Sequence, residues 1–434
     1  MNQRDVASVI VGGNRVNLRP SLPEADIAGV PFVTVSSKGL SDGTSDKING
    51  GRMFGKDTPG TQTTGIQEAI DYAISIGEYT IGLDCGVYYL NKGVTINVAN
   101  TSLPGPQFNI VGITMMATYI VANTNDDMFT VNSTTPVNVN AQISMRDFQP
   151  AAGAGFTPNS FLKWIVPSGS LIAQTLVLDH IDIANGTWGT SPLAVNGIKQ
   201  IFLYEYECYS ADFNAAQILN VNDVYVFGSG INGYIELNNV LSCHMAGAAG
   251  IQLYITGIVH VLSLNGCRLT SVNISGGTIT SMHLEDIYYE TNATNILFAS
   301  SAATIKRLTM KNVGFYLTGT ANIPFVSANI TIDSVKLDNV FNLASSPYSV
   351  TGFPVNNPAA PAVPASGSGY TNTLLYDVYI IPLTASGVTY TITDIAGNVS
   401  ASIPASAGSN ILLKAGETIT PTYTTLTWTV RSAE

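Results

Sequence analysis

The residues best equipped for chemistry in this 434-residue chain are its carboxylates and its tyrosines. Glycoside hydrolysis takes two carboxyl groups roughly 5–9.5 Å apart, one donating a proton and the other acting as base or nucleophile. Asp179, Asp182, Glu205, Glu207, Asp212, Glu285, Asp286 and Glu290 offer many such pairs and single out none, so no catalytic residue is assigned. Aromatic faces beside charged and amide groups are a common way to hold sugar rings. Arg268, Tyr288, Glu290 and Tyr316 form one candidate strip of that kind, and Tyr204 and Tyr206 in Tyr204-Glu-Tyr-Glu-Cys-Tyr209 form a second. Surface decoration or a subunit interface would use the same residue types. The four histidines, His180, His244, His260 and His283, and the four cysteines, Cys85, Cys208, Cys243 and Cys267, lack metal-ligand spacing. No H-E-x-x-H motif and no phosphate loop occur, so neither metal nor cofactor is expected. The cysteines read as buried free thiols acting as small hydrophobes.

These side chains must be positioned by a repeated element. A phrase of Leu or Met, any residue, a small polar residue and an apolar one returns seven times. Its copies are Met145-Arg-Asp-Phe148, Leu178-Asp-His-Ile181, Leu237-Asn-Asn-Val240, Leu264-Asn-Gly-Cys267, Leu284-Glu-Asp-Ile287, Met310-Lys-Asn-Val313 and Leu337-Asp-Asn-Val340. The last four intervals are 27, 20, 26 and 27 residues, a period that signals stacked units burying apolar faces against each other. Leu203-Tyr-Glu-Tyr206 is a looser copy, and Val221-Asn-Asp-Val224 another in ambiguous register. Leucine would point inward and the third residue would occupy a turn. Asn239, Asn312 and Asn339 are expected to stack there as a ladder, with Asp147, His180 and Asp286 as variants. Glu285 and Lys311 share an outward position and read as an ion pair.

Composition agrees with short strands. Charged residues are 11% and hydrophobic ones 45%, with a mean hydropathy of +0.23, yet no apolar run is long enough to span a membrane. The apolar residues are interleaved with Ser, Thr, Asn and Gly, which suits an all-β chain. A net charge of −11 and no basic cluster beyond Lys306-Arg307 argue against nucleic acid. The opening Met1-Asn-Gln-Arg-Asp-Val-Ala-Ser-Val has no apolar stretch, so no secretory signal is expected. One helix is predicted over 64–76 from Ile66, Ala69, Ile70, Ala73 and Ile74, with Thr64 and Gln67 as a capping box and Gly77 as its stop. The expected organisation is a lead-in over residues 1–60, a coil stack over 61–350, a Pro/Ala/Gly linker over 351–369, and a β-sandwich of six strands over 370–434.

Ile66-Gln-Glu-Ala-Ile-Asp-Tyr-Ala73, followed by Tyr79-Thr-Ile-Gly-Leu-Asp-Cys-Gly-Val-Tyr-Tyr-Leu90, resembles the opening of pectate-lyase-like proteins. Gly86, Tyr88 and Leu90 match that family's phrase, while Asp84-Cys85 replaces its usual proline. Val35 to Asp42 is similar to the family's first glycine-containing loop. The resemblance covers residues 33–345 and implies a right-handed single-stranded parallel β-helix with an N-terminal capping helix. The C-terminal segment around Tyr370–Val378 and Ala415–Trp428 resembles modules that end phage and archaeal-virus fibre proteins. These resemblances imply a homotrimeric virion spike or tail fibre, at a virion surface or extracellular. Such a spike would bind a cell-surface polysaccharide, with the N-terminal segment joined to other virion proteins. The alternative they imply is a polysaccharide depolymerase, hydrolase or lyase.

Overall fold

The computed structural model describes residues 8–11, 14–17, 33–37, 52–97, 107–132, 141–166, 174–184, 186–208, 214–291, 297–317, 323–342, 350–351, 362–372, 378–414 and 416–432. Its main feature is one 28-stranded sheet whose segments pair in parallel with the segment one coil earlier and one coil later. The coils stack from Val33–Ser36, which pairs with Arg52–Gly55 and Thr80–Leu83, to Val335–Asn342, which pairs with Leu308–Leu317. The lead-in therefore already contains the first rungs of the stack.

One column, buried from Met145 to Met310, shows the register. Met145, Leu178, Leu203, Val226, Met245, Leu264, Leu284, Met310 and Leu337 are successive partners. Six of the seven repeat copies lie in this column, and so does the looser copy at Leu203. Leu237 does not: it pairs with Ile218 and Ile255 at a different corner of the coil. The interval of 27 residues before Leu264 thus joined two corners, whereas the true preceding members, Val226 and Met245, are 19 residues apart. Val221-Asn-Asp-Val224 is out of phase too, since Val224 pairs with Ile201 and Cys243.

The residue two places after each column member takes a left-handed backbone conformation. Asp147, His180, Glu205, Gly228, Gly247, Gly266, Asp286, Asn312 and Asn339 have φ between 46° and 64°. A short polar side chain or none at all lowers the cost of that conformation. Asn339 donates to Asn312 at 2.8 Å and Asn312 to Asp286 at 2.9 Å. Asn239 belongs to a second ladder, donating to Asn220 at 3.1 Å, which donates to Asn196 at 2.9 Å. The expected single ladder is therefore two, one at each tight corner.

The helix runs over Ile66–Ile76 and buries Ile66, Ala69, Ile70 and Ala73 in the same core as the coils. Gly77 ends it in a left-handed conformation. No capping box forms: Gly65 is the N-cap residue, Thr63 Oγ1 accepts from the Gln67 amide, and Thr64 instead bonds both backbone groups of Tyr89. Asp84, where the resembling phrase has proline, accepts from Ser36 Oγ, the Ser37 amide and the Tyr88 hydroxyl. Burial would raise that carboxyl, but these hydrogen bonds outweigh it and hold it below its ordinary value.

A second apolar core lies between two antiparallel sheets. One orders Tyr370–Thr371, Thr418–Thr422, Val388–Thr393 and Val399–Ala405; the other orders Ile411–Leu413, Val378–Ser386 and Thr425–Ser432. Six of these strands answer to the six expected. Val363 packs on this core and Tyr423 donates to the Pro364 carbonyl, so the last part of the expected linker is fastened to the sandwich. Residues 352–361 lie outside the described residues.

Candidate functional site at the glycine corner

Each coil carries two outward rows beside the corner built from Gly228, Gly247 and Gly266. Before the corner, Phe202, Tyr225 and His244 are in-register partners, as are Tyr204, Phe227 and Ala246. Strands Asp223–Phe227 and Val240–Ala246 alternate buried and partly exposed residues toward the corner, which places Tyr225, Phe227, His244 and Ala246 on the outer face. Tyr204 is partly exposed too, while Phe202, in register with Tyr225, is buried but stands outside the coil core. Phe202 and Tyr225 stack at 4.8 Å, Tyr204 and Phe227 at 5.5 Å, and Tyr225 and His244 at 5.5 Å. All three ring pairs lie within 17° of parallel, so the block presents hydroxyls and ring edges outward and ring faces along the coil axis.

After the corner a second outward row runs through Gln149, Asp182, Glu207, Gly230, Ala249, Arg268, Tyr288 and Gly314. Its register follows from Asp182 with Glu207, Cys208 with Ile231, Gly230 with Ala249, Ala249 with Arg268, and Arg268 with Tyr288. Arg268 and Tyr288 are thus adjacent on one face, and two side-chain-poor rungs separate them from Asp182 and Glu207. Tyr204 sits across the corner from Glu207. The structure thereby brings the two sequence candidates to one corner of the stack. Glu290 and Tyr316 are in-register backbone partners one coil apart, but their side chains lie outside the described residues. Tyr209 and Asp212 lie outside them altogether.

Tyr206 is a correction. It follows the left-handed Glu205, so the turn points it inward, and it is wholly buried with its hydroxyl donating to the Ala215 carbonyl at 3.1 Å. Burial pushes the phenol well above its ordinary value, and no ligand reaches it. Phe202 stands beside the looser copy Leu203-Tyr-Glu-Tyr206, whereas Tyr225, Phe227 and His244 stand in coils whose corners, Val226-Phe-Gly-Ser229 and Met245-Ala-Gly-Ala248, are not among the copies of the phrase read from sequence. The signal that finds these coils is the 19-residue step from Leu264 back to Met245 and on to Val226.

The electrostatics concentrate on the N-terminal side of the corner. His180 places Nδ1 2.8 Å from Asp179 and Nε2 2.8 Å from Glu205. The Asp179 hydrogen bond, ahead of the opposing effect of burial, raises the imidazole above its usual value. Burial raises Asp147 against the pull of His180 and Arg146. Gln149 donates to Asp182 at 2.6 Å, and burial, followed by repulsion from Glu207, raises the Asp182 carboxyl. Toward the other end, Lys311 bonds Glu285 at 2.6 Å, the expected ion pair. Among the described residues no group of His, Cys, Asp and Glu is arranged to hold a metal ion, and no helix is long and apolar enough to cross a membrane. Cys208, Cys243 and Cys267 are buried free thiols, whereas Cys85 is exposed.

No protein-family model and no curated protein matches this chain. Among solved structures it is similar to the A-module of the Azotobacter vinelandii mannuronan C-5 epimerase AlgE4, at 12% identity over 73% of this chain and 100% of that one, with a TM-score of 0.40. It is similar to the catalytic unit of a GH87 α-1,3-glucanase from Streptomyces thermodiastaticus, at 13% identity over 73% and 70% of the two chains (TM-score 0.29). A third similarity is to the enzymatically active domain of tailspike protein 4 of bacteriophage CBA120, at 10% identity over 86% and 66% (TM-score 0.28). Likenesses this distant carry no argument about function, and the coil architecture rests on the strand register.

Proposed function

We propose that this protein is a glycan-binding surface protein, a homotrimeric virion spike or tail-fibre subunit that attaches to a host polysaccharide. The observation that carries the reading is the block of aligned rings and hydroxyls beside Arg268 and Tyr288, mounted on a stack whose backbone groups are paired coil to coil. A rigid scaffold with outward aromatics binds sugars at low entropic cost, because little is ordered on association. The same reading takes the winding as right-handed, the sense favoured for parallel crossovers, and the helix Ile66–Ile76 as the plug of the first coils. It also takes residues 1–60 as the attachment segment and the sandwich as an oligomerising or host-contacting module. A glycan array with the full-length protein should show saturable binding to one oligosaccharide class, and mass photometry should give a species three times 45.8 kDa. A 45.8 kDa species alone would remove the spike, and an unreactive array would remove the glycan.

A second reading, a depolymerase, is favoured by Asp182 and Glu207. They are in-register on adjacent coils, whose backbones stack about 4.8 Å apart, so both carboxyl groups project from one stretch of the outer face. The raised Asp182 carboxyl suits the proton donor. Polysaccharide shortened by the wild type and not by Asp182→Asn, measured by size-exclusion chromatography, would establish it; unchanged polymer in both would remove it for the polymers tried.

A further inference from the structure

The aromatic block ends abruptly. Phe227 stacks on Tyr204 through one ring face, and its in-register partner on the other side is Ala246, followed by Asn265 and Glu285. Beside it, His244 stacks on Tyr225 and is followed by Ser263 and His283. All these side chains occupy outward positions. The rungs of Tyr204 and Phe227 are thus followed by one that carries Ala246 beside His244, then by one that carries Asn265 beside Ser263, and then by Glu285 beside His283. From Phe227 to Asn265 is two rungs, about 9–10 Å, the room needed for one flat ring between two van der Waals surfaces. The adjoining turn is Gly247, where an added Cβ would meet only the Gly228 amide nitrogen at 4.0 Å. Packing does not exclude a side chain there, and other coils carry Asp or Asn at the equivalent position.

We propose that this step is a subsite for a single neutral pyranose, which stacks on the exposed face of Phe227 over Ala246. Asn265, whose Nδ2 also donates to Glu285 at 3.4 Å, accepts from one of its hydroxyls through Oδ1, and Ser263 hydrogen-bonds another. The proposal rests on the glycan-binding reading above and gives it a place and a ligand class. A pyranose offers C–H groups on its faces and hydroxyls at its rim, which matches a ring wall with polar groups around the floor. The charge balance favours a neutral sugar. Glu285, the next residue of the step's own column, is shared between Lys311 and the Asn265 amide. The net charge of −11 also repels polyanions.

The test uses full-length protein and two sets of hexasaccharide probes, neutral (glucan, mannan, galactan) and polyuronate, read by isothermal titration and saturation-transfer NMR. Ala246→Tyr fills the step by extending the stack with a residue that strands favour, so it should fold with an unchanged melting temperature and lose binding by tenfold or more. Phe227→Ala should lose about tenfold as well. Thr331→Tyr, the same added ring on an exposed strand of a late coil, should bind as the wild type does. Wild-type binding that survives Ala246→Tyr would overturn the subsite and leave the glycan reading standing. Preference for the polyuronates would overturn the neutral class. No binding of any probe by the wild type would overturn both.

Discussion

At the scale of single residues, the corner column shows how one backbone demand is met by different chemistry. A left-handed φ costs an ordinary L-residue roughly 1–2 kcal/mol, less for Asn or Asp and least for Gly. Asn312 has a φ of 52° and joins Asp286 to Asn339. Asn312→Val should therefore destabilise the chain by about 1–3 kcal/mol and Asn312→Gly by less than half of that, as measured by urea unfolding. His180 fills the same position between two carboxylates, and its raised value makes stability depend on pH. A group raised on folding contributes fully below its unfolded value near 6.5, and the contribution is lost as pH rises through the folded value. Asp147, also raised, acts in the same direction at lower pH. The melting temperature of the wild type should therefore fall relative to His180→Asn between pH 6 and pH 9. Parallel curves for the two proteins would show that His180 is not the titrating group.

At the scale of elements, each coil is stabilised mainly by its immediate neighbours, so damage should stay local. Ile70 is fully buried between the helix and the first coils. Ile70→Ala should cost about 2–5 kcal/mol there. Hydrogen exchange should speed up in Val33–Ser36, Thr80–Leu83 and Val94–Asn97 and stay unchanged beyond Thr278. Exchange that quickens along the whole stack would instead mean that the coils melt as one unit. The helix itself was legible because 3.6-residue periodicity is local. Its cap was not, because Thr64 is taken by Tyr89, which is 25 residues away in sequence.

At the scale of the whole molecule, two apolar cores with no shared residue predict two thermal transitions. Trp428, which packs against Tyr370 and Tyr390, sits in the second core. Trp428→Ala should lower one calorimetric transition, at a cost of about 3–5 kcal/mol, and leave the other in place. If both transitions move together, the sandwich and the coils are energetically coupled.

What the sequence determined by itself was the kind of object: apolar residues returning at a turn-marked period must stack, and the Glu285–Lys311 pair followed from that alignment alone. What it left open was the phase of each coil. Turns of unequal length let Leu237-Asn-Asn-Val240 copy the phrase at another corner, and left the coils of Val226 and Met245 out of the pattern. Only strand pairing decided that Tyr206 faces the core while Tyr204 faces out. The same pairing aligned Phe202, Tyr225 and His244, because hydrogen bonds between coils, not spacing along the chain, fix which side chains become neighbours.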